Sequence, residues 1–239
     1  FPKGLPLVKK HMPKPKNPEF IKVKNSSEEY RPSRIFCVGA NYRKHVAEMG
    51  LPGREKPFFF MKPRESLVQG KENEELAIEY PDNCKNLEHE LELVLLIGNS
   101  GSNIADEQAM RYVHGVGVGL DMTRRDLQKI SREKKQPWEI SKAFEQSAPI
   151  GNFRKISELG KDSCFDMSLT VNGVIRQRGN TGEMIFSMQE IISNLSKYFY
   201  LVPGDLIFTG TPQGVAAVSK GDKLVAVIDQ LPSLCVNVV

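Results

Sequence analysis

A mainly β domain with a few flanking helices, of the α+β class, is predicted by three features of this sequence. Its apolar segments are short, rich in β-branched residues or leucine, and separated by turn residues. Val171-Asn172-Gly173-Val174 carries the Asn-Gly pair that supplies positive φ at a tight hairpin turn. The segments do not alternate regularly with helical stretches, which speaks against a doubly wound parallel sheet.

Taken in order, residues 1–33 differ in texture from the rest. Pro2, Pro6, Pro13, Pro15 and Pro18 stand among lysines, so an extended N-terminal segment is expected, followed by one domain over 34–239. Strands are expected at 35–38, 90–97, 116–120, 165–171, 205–209 and 223–229. Short helices are expected at 41–49 and 106–113. Thr123-Arg124-Arg125-Asp126 reads as the start of a further helix, a capping box with Asp in the last place and Met122 and Leu127 as its hydrophobic staple. Ser187-Met188-Gln189-Glu190 is a fuller capping box, with Phe186 and Ile191 as staple, and Ile191, Ile192, Leu195 and Phe199 form the buried stripe. Gly39, Gly50, Pro52 and Gly53 bracket the 41–49 segment, a pattern common where a lid hinges. That segment is expected to close over a ligand.

Composition removes several classes of function. A length of 239 residues fits one large domain. No apolar run approaches the ~18 residues of a membrane span, so no membrane association is expected. The net charge is only +4, and basic stretches such as Arg132-Glu133-Lys134-Lys135 are broken by acids. With no recognition motif beside them, they argue against nucleic-acid binding. The four cysteines, Cys37, Cys84, Cys164 and Cys235, form no C-x-x-C pair. They read as reduced thiols in a cytosolic or organellar compartment. A start at Phe1 is compatible with a processed leader.

The densest chemistry lies in Glu88-His89-Glu90-Leu91-Glu92-Leu93. On a strand, Glu88, Glu90 and Glu92 share one face. Two carboxylates on a partly buried face repel unless a cation sits between them, although a wet acidic face explains the pattern equally well. Asp121 tips the balance towards a metal. It ends the apolar strand Gly115-Val116-Gly117-Val118-Gly119-Leu120 and stands just before a helix start, where anions are favoured. Three carboxylates without a thiolate or histidine pair suit a hard cation, Mg²⁺ ahead of Mn²⁺ or Ca²⁺.

Other groups surround these. His45 and Glu48, three apart on a short helix, could act as a carboxylate-oriented general base, although an exposed polar pair is the simpler reading of the spacing. Arg125 and Gln128 could clamp and hydrogen-bond a substrate carboxylate, and Lys142 could add a point charge. Thr209-Gly210-Thr211-Pro212-Gln213-Gly214 lacks the ending of a nucleotide P-loop but could present N–H groups and a hydroxyl to an anion. His11 and His114 have no partner at ligand spacing and read as structural.

These segments together resemble the fumarylacetoacetate hydrolase family, in its small single-domain acylpyruvase and oxaloacetate decarboxylase or tautomerase branch. The stretches that carry the resemblance are VGANYRKHVAEMG, FFFMKPRESLV, EHELELVLLIG, GLDMTRRDLQ, PWEISKAF, VNGVIRQRG, MIFS and PGDLIFTGTPQGV, in family order from Arg34 onward. The resemblance implies a mixed β-sheet roll with flanking helices, a homodimer, and a cytoplasmic or mitochondrial-matrix location. It implies metal ligation by Glu90, Glu92 and Asp121, with Mg²⁺ as cofactor or Mn²⁺ in its place. His45 and Glu48 are then the water-activating pair, Lys142 a further catalytic residue, and Arg125, Gln128 and Thr211 the substrate contacts. The implied substrates are small 2-keto and 2,4-dioxo acids handled through a metal-stabilised enolate. Acylpyruvate hydrolysis or oxaloacetate decarboxylation leads, with oxaloacetate keto–enol tautomerisation as the alternative. A non-catalytic keto-acid binder is the competing class, and it would need no His45–Glu48 pair.

Overall fold

The side-chain alternation of one strand, Leu91–Ile97, organises the molecule. Leu91, Leu93, Leu95 and Ile97 fall in one hydrophobic core, while Val94 and Leu96 fall in a second on the opposite face. A strand buried on both faces needs a layer on each side, which accounts for its unbroken apolar run. The structure, a computed structural model, describes residues 17–48, 50, 56–72, 74–160 and 164–239.

Leu91–Ile97 lies within an eight-stranded sheet, in the order Phe58–Lys62, Ile35–Gly39, Leu206–Phe208, Leu91–Ile97, Val113–Leu120, Ala148–Ile150, Leu67–Gln69, with Arg154–Lys155 added onto Val113–Leu120. Ile35–Gly39 runs parallel to Leu206–Phe208, and Leu67–Gln69 parallel to Ala148–Ile150. Most other pairings are antiparallel, so the sheet is mixed, and it curls. A five-stranded sheet covers its main-core face: Val174–Asn180, Asp166–Val171, Lys223–Ile228, Leu234–Val238, Glu75–Ile78. Met167, Leu169, Leu224, Ala226 and Ile228 supply its share of the main core. A small three-stranded sheet joins Ala216–Val218, Leu87–His89 and Thr123–Arg124.

The glycine-punctuated strand Val113–Leu120 follows from this layering. Val116, Val118 and Leu120 enter the main core, and the glycines between them face the second. A methyl group on Gly119 would stand 2.5 Å from Val94 and 2.8 Å from Phe208. One on Gly117 would press against the Phe153 ring at 3.1 Å. The glycines therefore make room for the second core. Ile21 and Val23, from the expected N-terminal segment, are buried in that core, with bridges from Ile21 to Tyr30 and from Val23 to Phe153. Pro2, Pro6, His11, Pro13 and Pro15 lie outside the described residues.

The 171–174 hairpin forms as expected, with Asn172 at φ 52° and Gly173 at φ 79°. Met188–Ser196 is a helix with the full Ser187–Glu190 capping box, burying Ile191, Ile192 and Leu195. The 41–49 helix is Arg43–Glu48; Met49, Pro52 and Gly53 lie outside the described residues. The 106–113 helix is shorter than expected, Asp106–Ala109 followed by a 3-10 turn at Met110–Tyr112.

Two expectations are corrected. The Thr123 capping box does not form: the helix is Arg125–Glu133, and Thr123 is part of a two-residue strand whose pairing competes with capping. Its hydroxyl donates to the Asp121 carbonyl, and the Asp126 carboxylate accepts from the Lys85 N–H instead of closing the box. The strand expected at 90–97 forms as Leu91–Ile97, but Glu88, expected to share its face, lies on a separate strand across a break at Glu90. Leu87–His89 belongs to the three-stranded sheet and Leu91–Ile97 to the large one.

Candidate active site

Register brings the three acids together. Leu91 pairs with Leu120 and Glu92 with Gly119, so the antiparallel ladder carries Asp121 opposite Glu90, whose carbonyl accepts the Asp121 N–H at 2.9 Å. Glu92 extends the row of Val94 and Leu96 at the point where the second core gives out. Carboxylate oxygens of Glu90, Glu92 and Asp121 lie within 4.8 Å of one another, and all three residues are buried.

Two buried lysines meet this cluster. Lys142, from the short helix Glu139–Lys142, donates to Glu90 Oε2 and Asp121 Oδ2, each at 2.7 Å. Desolvation works to neutralise Lys142, but Asp121 and Glu90 outweigh it and hold the ammonium above the usual lysine range. Lys62 ends the Phe58–Lys62 strand with its Nζ 2.8 Å from Asp121 Oδ1. Its hydrogen bonds, however, go to the Met122 and Lys142 carbonyls and to Ser147 Oγ. Asp121 Oδ1 thus feels a positive charge yet accepts no well-angled hydrogen bond. Burial pushes the Lys62 amine down, with Asp121 opposing the shift.

The carboxylates divide accordingly. Burial alone would raise Glu90, but Lys142 and Arg125 override it and hold the group well below the usual carboxylate range. Glu92 moves the other way, because burial and the neighbouring Asp121 and Glu90 all push it up, against the charge of Lys142 and one backbone donor, the Gly210 N–H at 2.7 Å. A buried acid crowded by two others, beside an oxygen without a hydrogen bond, is the electrostatic signature of a cation site. Three oxygen donors suit a divalent hard cation, so these residues fit one.

Further cleft-lining groups come from the helix that follows. Arg125 donates through Nε to Glu88 Oε2 and through Nη2 to Glu90 Oε1, both at 2.5 Å, and through Nη1 to Gln128 Oε1. Glu88 has left the strand face it was expected to share, but its carboxylate still reaches the site through this guanidinium. Arg124 points elsewhere, stacked over Phe144 at 4.4 Å. His45 is buried, with Nδ1 3.3 Å from Oε2 of the exposed Glu48. Glu48 also accepts from the Gly214 N–H at 3.3 Å.

His45, Glu90, Glu92, Arg125, Gln128, Lys142 and Thr211 line one cleft of about 490 Å³ that opens to solvent. Asp121 lies behind its floor, and Glu48 backs His45. The 209–214 turn aims two of its N–H groups at the protein's own carboxylates and keeps Thr211 at the cleft. The N–H groups are those of Gly210 and Gly214, which bind Glu92 and Glu48, and the Thr211 hydroxyl accepts from Gln177 Nε2 at 2.8 Å. Gly210, at φ 98°, has no room for a side chain, since a Cβ would stand 2.6 Å from Asn41.

Sequence reasoning missed two residues here. Lys62 closes an apolar run, where a lysine is ordinarily exposed; the period-two row Phe58, Phe60, Lys62 was the available signal. Gln177 is fully buried on Val174–Asn180. Its Oε1 accepts from the Leu91 N–H and contacts His89 Nδ1, both at 2.9 Å, while its Nε2 serves Thr211 and the Pro212 carbonyl. It joins the strand break at Glu90 to the 209–214 turn.

Residues 34–239 match the fumarylacetoacetate (FAA) hydrolase C-terminal family. The chain belongs to the fumarylacetoacetate hydrolase family. Within the family, it resembles the crystal structure of fumarylpyruvate hydrolase from Pseudomonas aeruginosa in complex with Mn²⁺ and pyruvate. That match has a TM-score of 0.90 and 45% identity and covers 96% of this chain and 99% of the other. The oxaloacetate tautomerase of Escherichia coli is 39% identical over 202 residues, 84% of this chain and 90% of the relative. The mitochondrial oxaloacetate tautomerase of Rattus norvegicus is 41% identical over 200 residues, 84% and 89% of the two chains.

Proposed function

We propose that this protein hydrolyses acylpyruvates, 2,4-dioxo acids whose C3–C4 bond is cleaved to give pyruvate and a carboxylic acid. The observation that carries this reading is the pairing of two ends in one cleft. A three-carboxylate cluster with Lys142 and Arg125 lies at its floor, and the His45–Glu48 pair lies at its wall. A protein that only bound keto acids would need the floor and not the pair.

The residues divide the work. Glu90, Glu92 and Asp121 would hold a divalent cation, Mg²⁺ by the hardness of the donor set and Mn²⁺ in its place. When bound, the cation supplies Lewis-acid polarisation of the substrate's keto oxygen. Arg125 and Gln128 orient the substrate carboxylate, and Thr211, held by Gln177, contacts the keto group. His45 removes a proton from water as its oxygen adds to the C4 carbonyl, and Glu48 stabilises the imidazolium. The C3–C4 bond then breaks with its electron pair on C3. The ammonium of Lys142 stabilises the charge that this places on the keto oxygen, and protonation at C3 completes pyruvate.

A second reading, oxaloacetate keto–enol tautomerisation, is favoured by the two tautomerases at 39% and 41% identity. It draws on the floor of the cleft and a proton shuttle. Replacing His45 with alanine separates the readings when acylpyruvate hydrolysis, oxaloacetate decarboxylation and tautomerisation are assayed together with Mg²⁺. Hydrolysis should fall roughly 10²–10⁴-fold, and decarboxylation, which needs no activated water, should fall less. Undiminished hydrolysis would remove His45 from the mechanism. We place the enzyme as a homodimer in a compartment that keeps thiols reduced, the cytoplasm or the mitochondrial matrix. Its four cysteines are free, and the Rattus norvegicus relative is mitochondrial.

A further inference from the structure

The strand that backs the 209–214 turn carries a β-bulge. Against Asp166–Val171, Thr170 pairs with Ile175 but Leu169 pairs with Gln177, so Arg176 is the extra residue. Leu169 belongs to the main core, and the bulge sets Gln177 opposite it, facing inward, where unbroken pairing would place Arg176. The turn is fitted to this stretch at three points. A Cβ on Gly214 would stand 2.1 Å from the Arg176 carbonyl oxygen, and one on Gly179 would stand 2.6 Å from Pro212. Gln213 Nε2 donates to the Arg178 carbonyl at 2.9 Å.

Both ends of the buried Gln177 amide are fully used. Its Oε1 has two lone pairs, met by the Leu91 N–H and by His89 Nδ1. Its Nε2 has two protons, taken by Thr211 Oγ1 and the Pro212 carbonyl. The reverse orientation is excluded, because Oε1 would then face the Pro212 carbonyl and Nε2 the Leu91 N–H. Thr211 Oγ1 is therefore an acceptor on this side. Among the described residues, no other group hydrogen-bonds the Thr211 hydroxyl, and Thr211 lines the cleft. Its single proton is left for the cleft.

Resting on the reading above that Thr211 contacts the keto group, we infer that Gln177 is a positioning residue for the reaction. By donating to Thr211 Oγ1, it turns the hydroxyl proton towards the keto oxygen, where negative charge develops as the C3–C4 electron pair moves onto C3. A hydroxyl without this anchor would rotate and present a lone pair to that oxygen part of the time. The stabilisation is larger for the enolate than for the bound keto acid, so it acts on kcat more than on KM.

Gln177→Glu separates the two ends of the amide. It keeps an acceptor for the Leu91 N–H and takes away the donor to Thr211. With Mg²⁺ and acetylpyruvate, kcat should fall roughly 10–100-fold, with KM little changed. Thr211→Val should cost a similar factor, and adding Gln177→Glu to Thr211→Val should cost little more, because the hydroxyl it orients is gone. Gln177→Met, uncharged and of similar length, carries the same cycle should the glutamate variant not fold. Equal losses of kcat from the Gln177 change in both backgrounds, or an undiminished kcat, overturn the assignment. Calorimetry with Mg²⁺ adds a readout without turnover. Oxalate places a carboxylate oxygen where the enolate oxygen forms, and pyruvate places a neutral ketone there. Gln177→Met should weaken oxalate roughly 10-fold more than pyruvate, and the difference should vanish in the Thr211→Val background. Equal weakening of the two probes also overturns the assignment. If the parent hydrolyses no acetylpyruvate while the oxalate difference stands, the hydrolase reading fails and the role of Gln177 survives. Hydrolysis by the parent with equal losses in both backgrounds gives the opposite result.

Discussion

The two ends of the cleft are built differently. The floor rests on adjacent strands of the large sheet: Glu90, Glu92 and Asp121 are buried, and two lysines, an arginine and a backbone N–H from other segments hold them. The wall rests on the six-residue helix Arg43–Glu48, where His45 is buried but Glu48 is exposed and tied by contacts of 3.3 Å. A floor of opposed buried charges is stable only when every charge is present. A wall with one exposed carboxylate can lose a group and still fold. The proposed chemistry and structural integrity are therefore coupled at the floor and separable at the wall.

The comparison can be tested hardest at Asp121. Asp121→Asn keeps the shape but leaves Lys142 and Lys62 short of a counter-charge. Removing one partner of a buried ion pair costs about 3–5 kcal/mol. Thermal unfolding of the metal-free protein should show that loss, and calorimetric titration should show weaker Mg²⁺ binding with turnover falling alongside. An unchanged Mg²⁺ affinity would take Asp121 out of the ligand set. At the wall, Glu48→Gln should lower the kcat of hydrolysis on the order of 10-fold. Its stability should stay within about 0.5 kcal/mol of the parent. A large drop in Tm for this variant would erase the distinction between the two ends.

The smallest effect lies at the opposite end of the strand that leads to Asp121. There His114 contacts Tyr30 at 3.0 Å and Glu28 at 3.1 Å. Burial pushes its imidazole below the usual histidine value, against the pull of Glu28. The unfolded chain takes up the proton first, so this contribution is present above the ordinary histidine pKa and is lost as pH falls from there through the lowered folded value. His114→Gln should flatten the decline in Tm between neutral and mildly acidic pH. A decline of equal steepness would show that the acid sensitivity resides elsewhere.

Much of the floor was legible because strand periodicity is local: Glu90 and Glu92 lie two apart, and Asp121 closes an apolar strand. The antiparallel register that sets Asp121 opposite Glu90 was not written in either segment alone. The Ser187 helix was legible for the same reason, since its capping box spans four residues. Thr123 offered a similar pattern and failed because pairing between Thr123 and Glu88, 35 positions earlier, takes that residue into a sheet. Lys62 and Gln177 escaped because their roles exist only where distant segments meet. Neighbouring sequence gives Gln177 no mark that distinguishes it from a surface residue, and gives Lys62 only its place in the period-two row with Phe58 and Phe60.

Asn41 carries a mechanical consequence. Its side-chain amide donates to the carbonyls of Thr209 and Phe186 and accepts from the Phe186 N–H. Two residues later the helix bearing His45 begins, and against Asn41 packs Gly210, whose N–H grips Glu92. One amide therefore works as a clasp between the root of the wall and the edge of the floor. It fixes the gap between wall and floor, so a change at Asn41 would act as a change of gauge, shifting the His45–Glu48 pair relative to the acids without touching either.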